Sequence, residues 1–407
     1  MRVLMLSWEY PPVVVGGLGR HVHAIARHIA AHGHEVVVLC RHEAGTDAST
    51  HPTEDAVHEG VRVVRVAEDP THLVFEKDLV AWTLAMGHAM IRAGLRLLDG
   101  WRSDVVHAHD WLVTHPAITL AEQAGVPLVA TLHATEAGRH SGWLSQPLNQ
   151  QVHSAEWWLA NRADALITCS SAMRAEAAHL FEVDPASIEV IHNGIEPRGW
   201  KVTPVRSAAP QLLFFGRLEW EKGVHDLIAA LPRVRRTHPG TRLVVAGRGS
   251  QVHNLIELAR KHRVRRAVDF VGHLTDEALS AALGASDAVV LPSRYEPFGI
   301  VALEAAAAGA PLVASTAGGL GEVVIDGSTG LSFAPGDVDG LTRAVRAVLD
   351  DPAAARRRAR AAKARLSVDF DWSRIAAQTV EVYARASVGA HPPLGRPKIA
   401  SGNAFGP

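Results

Sequence analysis

The chain has 407 residues, of which 47% are hydrophobic and 20% charged, and its formal net charge is −1. This length is enough for two domains of ordinary size, each with its own core. No apolar run approaches the roughly eighteen residues that span a bilayer, so stable membrane insertion is excluded and a soluble globular protein is expected.

The first residues and the two cysteines bear on the compartment. Residues 1–7 carry one arginine and a short apolar run without a small-residue cleavage site, which favours a first β-strand over a signal peptide. Cys40 and Cys169 each end a strand-like run, which favours buried free thiols over a disulfide. We therefore expect a cytoplasmic protein.

The charges are unevenly distributed along the chain. Acidic side chains outnumber basic ones up to Asn193, and basic side chains outnumber acidic ones beyond it. We therefore expect the second half to bind an anion. The basic run at 356–365 lies on an alanine-rich helix without interleaved aromatic residues, which favours a solvated helix face over nucleic-acid binding.

In the first half, short β-branched runs alternate with helical patterns. Strands are predicted at 3–6, 36–39, 61–66, 105–106, 128–132, 166–168 and 190–191. Helices are predicted at 19–32, 79–98 and 154–162. This alternation predicts an α/β domain with a doubly wound parallel sheet.

The same alternation restarts in the second half. Strands are predicted at 212–215, 243–246, 268–271, 288–291, 311–314 and 331–333. Between the halves, Asn193, Gly194 and Pro197 mark an irregular turn that could serve as a hinge. Two Rossmann-like domains, 1–193 and 194–370, are therefore predicted, followed by a helix at about 371–388 and a Pro/Gly-rich tail, 389–407, that we expect to be disordered.

The segment 286–309 reads as a buried strand, an irregular loop and an alanine-rich helix whose free amides suit a phosphate. Glu296 lies in the loop and Glu304 eight residues later, a separation of roughly 12 Å along a helical path. The two carboxylates of a glycosidase must flank one bond at about 5 to 9.5 Å, so this pair does not fit a hydrolase. It fits the two ends of an extended ligand such as a nucleotide-sugar.

This E-x7-E spacing, with the sequence PFG inside it, resembles the signature of the retaining GT-B glycosyltransferases, the broad family that includes the glycogen synthases. The resemblance implies that Glu296 and the backbone of Phe298, Gly299 and Ile300 hold the donor sugar, while Glu304 holds the ribose. It also implies that the two domains face a central cleft and that the final helix packs back onto the first domain. The alternative without a ligand is that Glu296 only caps the helix and that Glu304 is solvated.

A glycine turn, formed by Gly16, Gly17 and Gly19, follows the first strand and opens a helix. Its amides could approach an anion closely, although tight strand-to-helix packing would need the same glycines. With Glu9 and Tyr10 upstream in the sequence SWEYPP, the turn is similar to the opening of the family. The similarity implies that this loop contacts the donor diphosphate and the acceptor.

Arg217 and Lys222 follow the first strand of the second half. They could converge on a diphosphate, since arginine offers a fork of donors and lysine a mobile charge, or they could be two surface cations near a turn. They match the G-R-x5-K-G pattern of the family, and this resemblance assigns them to the diphosphate. Fixed cations there would stabilise the charge that develops on the leaving group.

Histidines crowd the ends of two first-half strands. His107, His109, Asp110 and His133 could be drawn as a zinc site. The sequence favours no metal, because the histidines of the first half show no ligand spacing and cationic side chains already meet the diphosphate.

The sequence His-Asp-Trp at 109–111 resembles the acceptor-side motif of glycogen synthases. The resemblance implies that Asp110 orients acceptor or sugar hydroxyls, that Trp111 lies at the acceptor, and that the main-chain carbonyl of His133 steadies the oxocarbenium ion. Trp143, Trp157 and Trp158 could stack on sugar rings, although core packing is the favoured interpretation for the three. Trp143 is retained as an acceptor-side candidate.

These resemblances extend over nearly residues 1–388 and imply a retaining α-1,4-glucosyltransferase that needs no metal or other cofactor. The donor would be a nucleotide-diphosphate glucose, with uridine, adenosine and guanosine all open. The acceptor would be the non-reducing end of an α-1,4-glucan or of a methylglucose-type polysaccharide. Retention would follow from front-side attack, in which a phosphate oxygen of the leaving nucleotide takes the acceptor proton.

Two other functions remain open. A GDP-mannose-dependent lipid mannosyltransferase would share the fold, and the basic helix would suit it, although no apolar face accompanies that helix. A nucleotide-sugar-binding regulator without turnover would be expected to lack Glu296, Lys222 or His133, and all three are present. Nucleic acid is not an expected partner, and an oligomer is compatible with the sequence.

One position departs from the pattern of the glycogen synthases proper. They carry a lysine two residues before the glycine turn, where this chain has Val14. The departure favours a relative of the glycogen synthases over that enzyme itself.

Overall fold

The structure is a computed structural model that describes residues 1–14, 16–43, 49, 52–67, 72–75, 77–196, 200, 202 and 209–389. Pro197 of the predicted turn lies outside these residues, and so does the tail from residue 390 onward. Two sheets divide the described chain. The predicted α/β fold with two parallel-sheet domains is confirmed.

The first sheet has eight strands in the order β3-β4-β2-β1-β5-β6-β7-β8. The strands are β1 Arg2–Leu6, β2 Glu35–Arg41, β3 Glu54–His58, β4 Val61–Val66, β5 Val105–His109, β6 Leu128–Leu132, β7 Ala165–Thr168 and β8 Ile188–Val190. All neighbours are parallel except β3 and β4, which pair as an antiparallel edge. The sequence did not predict β3, because all five of its residues are exposed and it carries no buried apolar run.

Within the described part of the first domain, six α-helices accompany this sheet: α1 Gly17–Ala31, α2 Leu79–Gly100, α3 Thr114–Ala124, α4 Glu136–Arg139, α5 Pro147–Arg162 and α6 Ser171–Phe181. Helix α1 buries an apolar stripe that includes Val22, Ile25 and Ile29. Helix α5 begins seven residues earlier than the predicted start at 154, at Pro147. Proline suits the first helical position because its missing N–H would be unpaired there anyway.

The second sheet has six parallel strands in the order β11-β10-β9-β12-β13-β14. They are β9 Gln211–Phe215, β10 Arg242–Ala246, β11 Val268–Gly272, β12 Ala288–Leu291, β13 Leu312–Ser315 and β14 Leu331–Phe333. The accompanying helices are α7 Val224–Thr237, α8 Val252–Lys261, α9 Asp276–Ala285, α10 Ile300–Ala308, α11 Leu320–Val323, α12 Val338–Asp350 and α13 Pro352–Asp369. This strand order is that of a dinucleotide-binding Rossmann domain.

The last helix, α14 Trp372–Gly389, packs against α1 of the first domain. Its Tyr383 hydroxyl lies 2.7 Å from Nδ1 of His107 in β5. The two chain crossings between the domains run side by side, since the amide of Ile195 donates to the carbonyl of Phe370 at 3.0 Å. A β-carbon at Gly194 would lie 2.6 Å from the Trp372 ring, so only glycine fits at this crossing.

No helix among the described residues is both long enough and apolar enough to cross a membrane. The arginine-rich helix α13 turns Ala355, Ala359 and Leu366 inward, and Arg356 and Arg357 are exposed. Cys40 and Cys169 are buried and unbonded to one another, as predicted.

Candidate active site

The site lies at the points where the strand order reverses. In the first sheet the reversal falls between β1 and β5, and in the second between β9 and β12. Ligands of doubly wound sheets bind in the crevice outside the carboxyl ends of such strand pairs. The glycine turn follows β1, Asp110 follows β5, Lys222 follows β9 and Glu296 follows β12.

The two loops of the second domain are bonded to each other. The backbone amides of Arg294 and Tyr295 donate to the carbonyl of Glu221 at 2.7 and 3.2 Å. The Arg294 guanidinium grips the Asp226 carboxylate through two bonds of 2.9 Å and lies 5.0 Å over the Trp220 ring. A bidentate pair of this kind fixes orientation as well as distance, so the loops after β9 and β12 form one edge.

Lys222 and Glu296 meet within this edge. The Lys222 ammonium lies 2.8 Å from Oε2 of Glu296, and the hydroxyl of Ser293 donates to the same oxygen at 3.2 Å. Arg217 pairs with Glu221 at 3.2 Å, and its side chain is 47% exposed. The structure therefore brings Lys222 and Glu296 together and leaves Arg217 partly exposed and paired with Glu221.

The start of helix α10 depends on glycines. Gly299 has φ 105°, and a β-carbon there would lie 2.6 Å from the Leu320 side chain. A β-carbon at Gly318 would lie 2.2 Å from the carbonyl oxygen of Glu296. Phe298 is buried, so its backbone rather than its side chain is the part that a donor sugar could meet.

Glu304, on the buried side of α10, is bonded across the cleft. Its Oε1 lies 2.5 Å from Nη1 of Arg20 in α1, and the glutamate is only 6% exposed. Burial raises the pKa of Glu304, and the arginine opposes that shift. Nearby, a β-carbon at Gly17 would lie 2.8 Å from Cδ1 of Ile300, so the glycine turn contacts the start of α10.

Glu9 shapes the glycine turn. Its Oε2 accepts a hydrogen bond from the amide of Gly16 at 3.0 Å, and a β-carbon at Gly19 would lie 3.1 Å from it. Tyr10 packs edge-on against His23, and burial raises the pKa of its hydroxyl. Because both Glu9 and Tyr10 are only 3% exposed, their acceptor contacts stay predictions that this arrangement does not support directly.

Asp110 stands in a strained backbone conformation, with φ 63°. Its Oδ1 accepts a hydrogen bond from the amide of His133 at 2.7 Å, and its own amide donates to the carbonyl of Thr131 at 3.0 Å. Burial raises the pKa of Asp110 to about 6, against the effect of the His133 amide. Strain of this kind concentrates at functional sites, and here it lets the carboxylate hold the turn that carries His133.

Four imidazoles form a buried histidine cluster beneath this turn: His21, His107, His109 and His133. Burial lowers the pKa of each, so all four are neutral near pH 7. Both nitrogens of His107 are engaged, with Tyr383 and with the Thr131 hydroxyl, each at 2.7 Å. Of the four residues that could be drawn as a zinc site from the sequence, only His109 and His133 have ligand atoms that converge, and the third converging side chain is His21.

The tryptophans differ in their surroundings. The prediction of core packing is wrong for Trp143 and Trp157, whose side chains are 73% and 43% exposed. Trp158 is partly buried against His115, and Trp111 is half-buried in the turn after Asp110. Trp143 therefore offers the free aromatic face that sugar stacking needs.

Sequence reasoning missed a buried acid next to Asp110. Glu156 of α5 is 3% exposed and accepts a hydrogen bond from the amide of Glu136 at 2.8 Å. Burial raises the pKa of Glu156 to about 9, the Glu136 amide opposes the shift, and the negative charge of Asp110 adds to it. No spacing motif marks this position, because its environment comes from three separate elements.

The contacts that close the two domains on each other were also missed. The Ser170 hydroxyl donates to the carbonyl of Pro297 at 2.7 Å. The Tyr295 hydroxyl donates to Glu176 at 2.9 Å and accepts from the amide of Thr135 at 3.2 Å. The loop after β12 is the one that the family resemblance assigns to the donor sugar, and we call it the donor loop. It is therefore held by the first domain as well as by its own.

Each of the two parallel sheets has a reversal of strand order. The strained Asp110 lies at the reversal in the first sheet, and the Lys222–Glu296 pair lies at the reversal in the second. This arrangement is that of a GT-B glycosyltransferase. Sequence comparison agrees: the family "Glycosyl transferases group 1" matches residues 201–365, and "Glycosyltransferase Family 4" matches residues 15–198. The chain belongs to this glycosyltransferase family.

Among its relatives, a glycogen synthase of Mycobacterium tuberculosis is 61% identical over 403 residues, 97% of each chain. An alpha-maltose-1-phosphate synthase of the same organism is 30% identical and covers 94% of this chain and 99% of its own. The inference drawn from Val14, which favoured relatives over glycogen synthase itself, is not supported by the first of these matches.

Solved structures show the same fold at lower identity. Sucrose-phosphate synthase from Thermosynechococcus elongatus aligns with a TM-score of 0.79 at 23% identity, over 94% of this chain and 98% of its own. The catalytic domain of starch synthase IV from Arabidopsis thaliana, bound to ADP and acarbose, aligns with a TM-score of 0.71 at 20% identity, over 95% and 99%.

Proposed function

We propose that this enzyme is a retaining glucosyltransferase that moves glucose from a nucleotide-diphosphate glucose to the non-reducing end of an α-1,4-glucan without a metal ion. The observation that carries the proposal is the placement of both glutamates of the E-x7-E motif. Glu296 and Glu304 lie at the cleft, each bonded to a cation, Lys222 and Arg20 respectively. The 61% identity to a protein named glycogen synthase supports the choice of glucose and of a glucan.

The donor diphosphate would lie at Arg217 and Lys222. Lys222 is mostly buried, so its charge acts in a medium of lower dielectric than water. As the bond between C1 and the phosphate oxygen breaks, negative charge grows on the diphosphate. A cation already in position stabilises that charge more in the transition state than in the ground state.

The sugar would lie between Glu296 and the turn at His133. Asp110 accepts hydrogen bonds from the amides of His133 and Ala134. The Ala134 amide lies in the same planar peptide group as the His133 carbonyl, so this bond would fix the direction of the carbonyl that steadies the oxocarbenium ion. Both carboxylates of this region are engaged, Asp110 with those amides and Glu296 with Lys222. Their engagement supports front-side attack, in which the acceptor oxygen bonds to C1 on the face that the phosphate leaves and its proton passes to a phosphate oxygen.

The acceptor would enter from the side of the first domain that carries Trp143. This ring is exposed in the segment after α4, and α4 itself lies against the donor loop, because a β-carbon at Gly138 would meet the Tyr295 ring at 2.3 Å. A glucan chain stacked on Trp143 would thus lie close to the cleft.

The test is a transfer assay with a short α-1,4-glucan and, separately, the uridine, adenosine and guanosine diphosphate glucoses and GDP-mannose. We expect products one hexose longer, α-1,4-linked by mass and linkage analysis, from at least one glucose donor. Transfer from GDP-mannose alone would replace the proposal by a mannosyltransferase. A folded protein that binds a donor without transferring it to any acceptor would indicate a regulator.

A further inference from the structure

One group of side chains has no part in the transfer reaction as proposed. His21 in α1, His109 at the end of β5 and His133 after β6 each bring one ring nitrogen to within 4.8 Å of the other two. Nδ1 of His109 lies 3.2 Å from Nε2 of His133. The His21 ring stands edge-on to both, with its centroid 5.6 Å and 4.7 Å from theirs. We call these three residues the three-histidine pocket.

The spacing of the pocket suits a metal ion. Zinc–nitrogen bonds of about 2.0 to 2.1 Å at tetrahedral angles place ligand nitrogens roughly 3.3 Å apart. The separation between His109 and His133 is already close to this value, and His21 needs to approach by a rotation of its side chain. Neutral imidazole is the form that binds a metal, and burial keeps all three rings neutral near pH 7.

A second observation points to a missing ligand. Nδ1 of His21 is buried and has no hydrogen-bond partner among the described residues. Nε2 of His109 is also buried and unpaired, but it lies on the other side of the ring from the Nδ1 that faces His133, so it is not the atom that would bind the ion. Buried ring nitrogens without partners are rare because each costs the free energy of its lost hydration. Oδ1 of Asn193 is likewise buried and unpaired, and this side chain is the neighbour that raises the pKa of His21 against burial. It is suited to accept the second ring N–H of a metal-bound His21.

The pocket also has an entrance and an open coordination position. His133 is half-buried at the cleft, while His21 and His109 are fully buried behind it. An ion would therefore arrive from the cleft and keep its fourth position on that side, for water or a sugar hydroxyl. His107 does not contribute, because Tyr383 and Thr131 occupy both of its nitrogens.

We propose that His21, His109 and His133 form a binding site for Zn²⁺ at the base of the cleft, and that an ion bound there inhibits the transfer reaction. Three neutral nitrogen ligands without a carboxylate select Zn²⁺ over Mg²⁺ or Ca²⁺, which prefer oxygen. The inhibition rests on the proposed function, because His133 then lies beside the donor sugar. The binding of the ion does not depend on it.

Binding is measured on the chelator-treated, full-length protein by titration with Co²⁺, whose visible spectrum reports four-coordinate geometry, and by competition with Zn²⁺. We expect one saturable site per chain. His21→Gln and His109→Gln should each weaken binding by at least about 10²-fold, more than the loss of an outer hydrogen bond would. His107→Gln, in the same cluster, and His32→Gln, at the exposed residue that follows α1, should leave it unchanged.

Thermal unfolding monitors the fold of each variant and gives a second readout. Zn²⁺ should raise the Tm of the native sequence and of His32→Gln in a concentration-dependent way, and it should not raise that of a folded His21→Gln or His109→Gln. The site is disproved if the native sequence gives no four-coordinate Co²⁺ spectrum, or if His32→Gln loses as much affinity as His21→Gln, which would indicate adventitious binding by surface histidines only.

The activity arm separates the two parts of the proposal. Zn²⁺ at saturating concentration should lower kcat/KM for the donor, a chelator should restore it, and His21→Gln should resist the inhibition. Binding without inhibition would retain the site and remove its effect on transfer. If no transfer activity is found with any donor, the proposed function fails, while the Co²⁺ titration still decides whether the site exists.

Discussion

The guanidinium of Arg20 and the carboxylate of Glu304 join the two domains across the cleft, 2.5 Å apart. The glutamate is the one that the family resemblance gives to the donor ribose, and it is nearly buried, whereas the side chain of Arg20 is 61% exposed. Arg20 therefore opposes the rise in the pKa of a buried carboxylate at the place where ribose hydroxyls would need an acceptor.

Arg20→Ala should raise the donor KM. Burial and, to a smaller extent, the charge of Asp276 raise the pKa of Glu304, and the arginine opposes this, so its removal should protonate Glu304 at higher pH. We expect an increase of about tenfold in KM, equivalent to one lost charge-assisted hydrogen bond, and a larger effect at pH 6 than at pH 8. Donor kinetics at both pH values measure it, with Arg27→Ala, on the same helix and paired with Glu59, as the control. An unchanged KM at both pH values would remove Arg20 from the donor site.

Glu296→Ala and Glu304→Ala should differ in kind. In the proposed mechanism Glu296 contacts the sugar where charge develops, so its loss should lower both kcat and kcat/KM. Glu304 is proposed to bind the ribose, so its loss should mainly raise the donor KM. Donor-dependent rates at a saturating glucan concentration separate the two. Equal collapse of kcat in both variants, with azide yielding a glucosyl azide, would require a covalent mechanism instead.

Lys222→Ala and Arg217→Ala should each lower kcat by about 10²- to 10³-fold, the effect of removing one positioned donor from a developing negative charge. The fold should persist, because neither cation belongs to the buried apolar core. The exposed Lys261 of α8 supplies the control variant, Lys261→Ala, which should turn over normally. A folded Lys222→Ala protein with near-normal kcat would contradict the diphosphate role.

Glu156→Gln should flatten the pH dependence of stability. The folded-state pKa of Glu156 is raised to about 9 by burial, so between its ordinary pKa and that value the folded state holds a proton that the unfolded state has lost. Stability contributed by this group is full at low pH and falls as the pH rises through that window, by at most about 1.4 kcal/mol per pH unit. Glutamine keeps the oxygen that accepts from Glu136 and does not titrate.

Urea unfolding of the native sequence and of Glu156→Gln between pH 5 and pH 9 tests this sign. The variant should gain stability relative to the native sequence as the pH rises. Parallel profiles would show that Glu156 is ionised in the folded protein.

Removal of metal ions should not lower the transfer rate. In the proposed mechanism Lys222 and Arg217 neutralise the diphosphate without a divalent ion, and the three-histidine pocket is proposed to inhibit transfer when an ion is bound. Rates measured in EDTA should therefore equal or exceed those in untreated enzyme. A rate that falls in chelator and returns with added metal would make the ion a cofactor.

The sequence could predict the features that depend on the order of strands and helices along the chain. The alternation of strands and helices places Lys222 after β9 and Glu296 after β12, and the doubly wound topology then brings both to one edge. The pairing of Arg20 with Glu304 joins residues 284 positions apart, and no spacing rule encodes it. His21 lies on α1 and is distant in sequence from His109, which ends β5, and from His133, which follows β6. No spacing rule links it to them, so it was absent from the metal-ligand set drawn from the sequence.

Exposure explains the other differences. The strand β3 is solvated on every residue, so its sequence lacks the apolar run by which strands are recognised. Trp143 and Trp157 were assigned to a core because tryptophan is usually buried, and their exposure is a fact of packing that their neighbours in sequence do not determine.

Because α14 packs onto the first domain, that domain is built from two separate segments of the sequence. The buried histidine cluster of this domain contacts Tyr383 and Trp372 of α14, and these contacts cannot form until the whole second domain has left the ribosome. The second domain is contiguous and can complete its core first, although domains usually fold in the order of synthesis. We therefore expect nascent chains arrested shortly after residue 370 to protect the second domain from protease while the first stays susceptible.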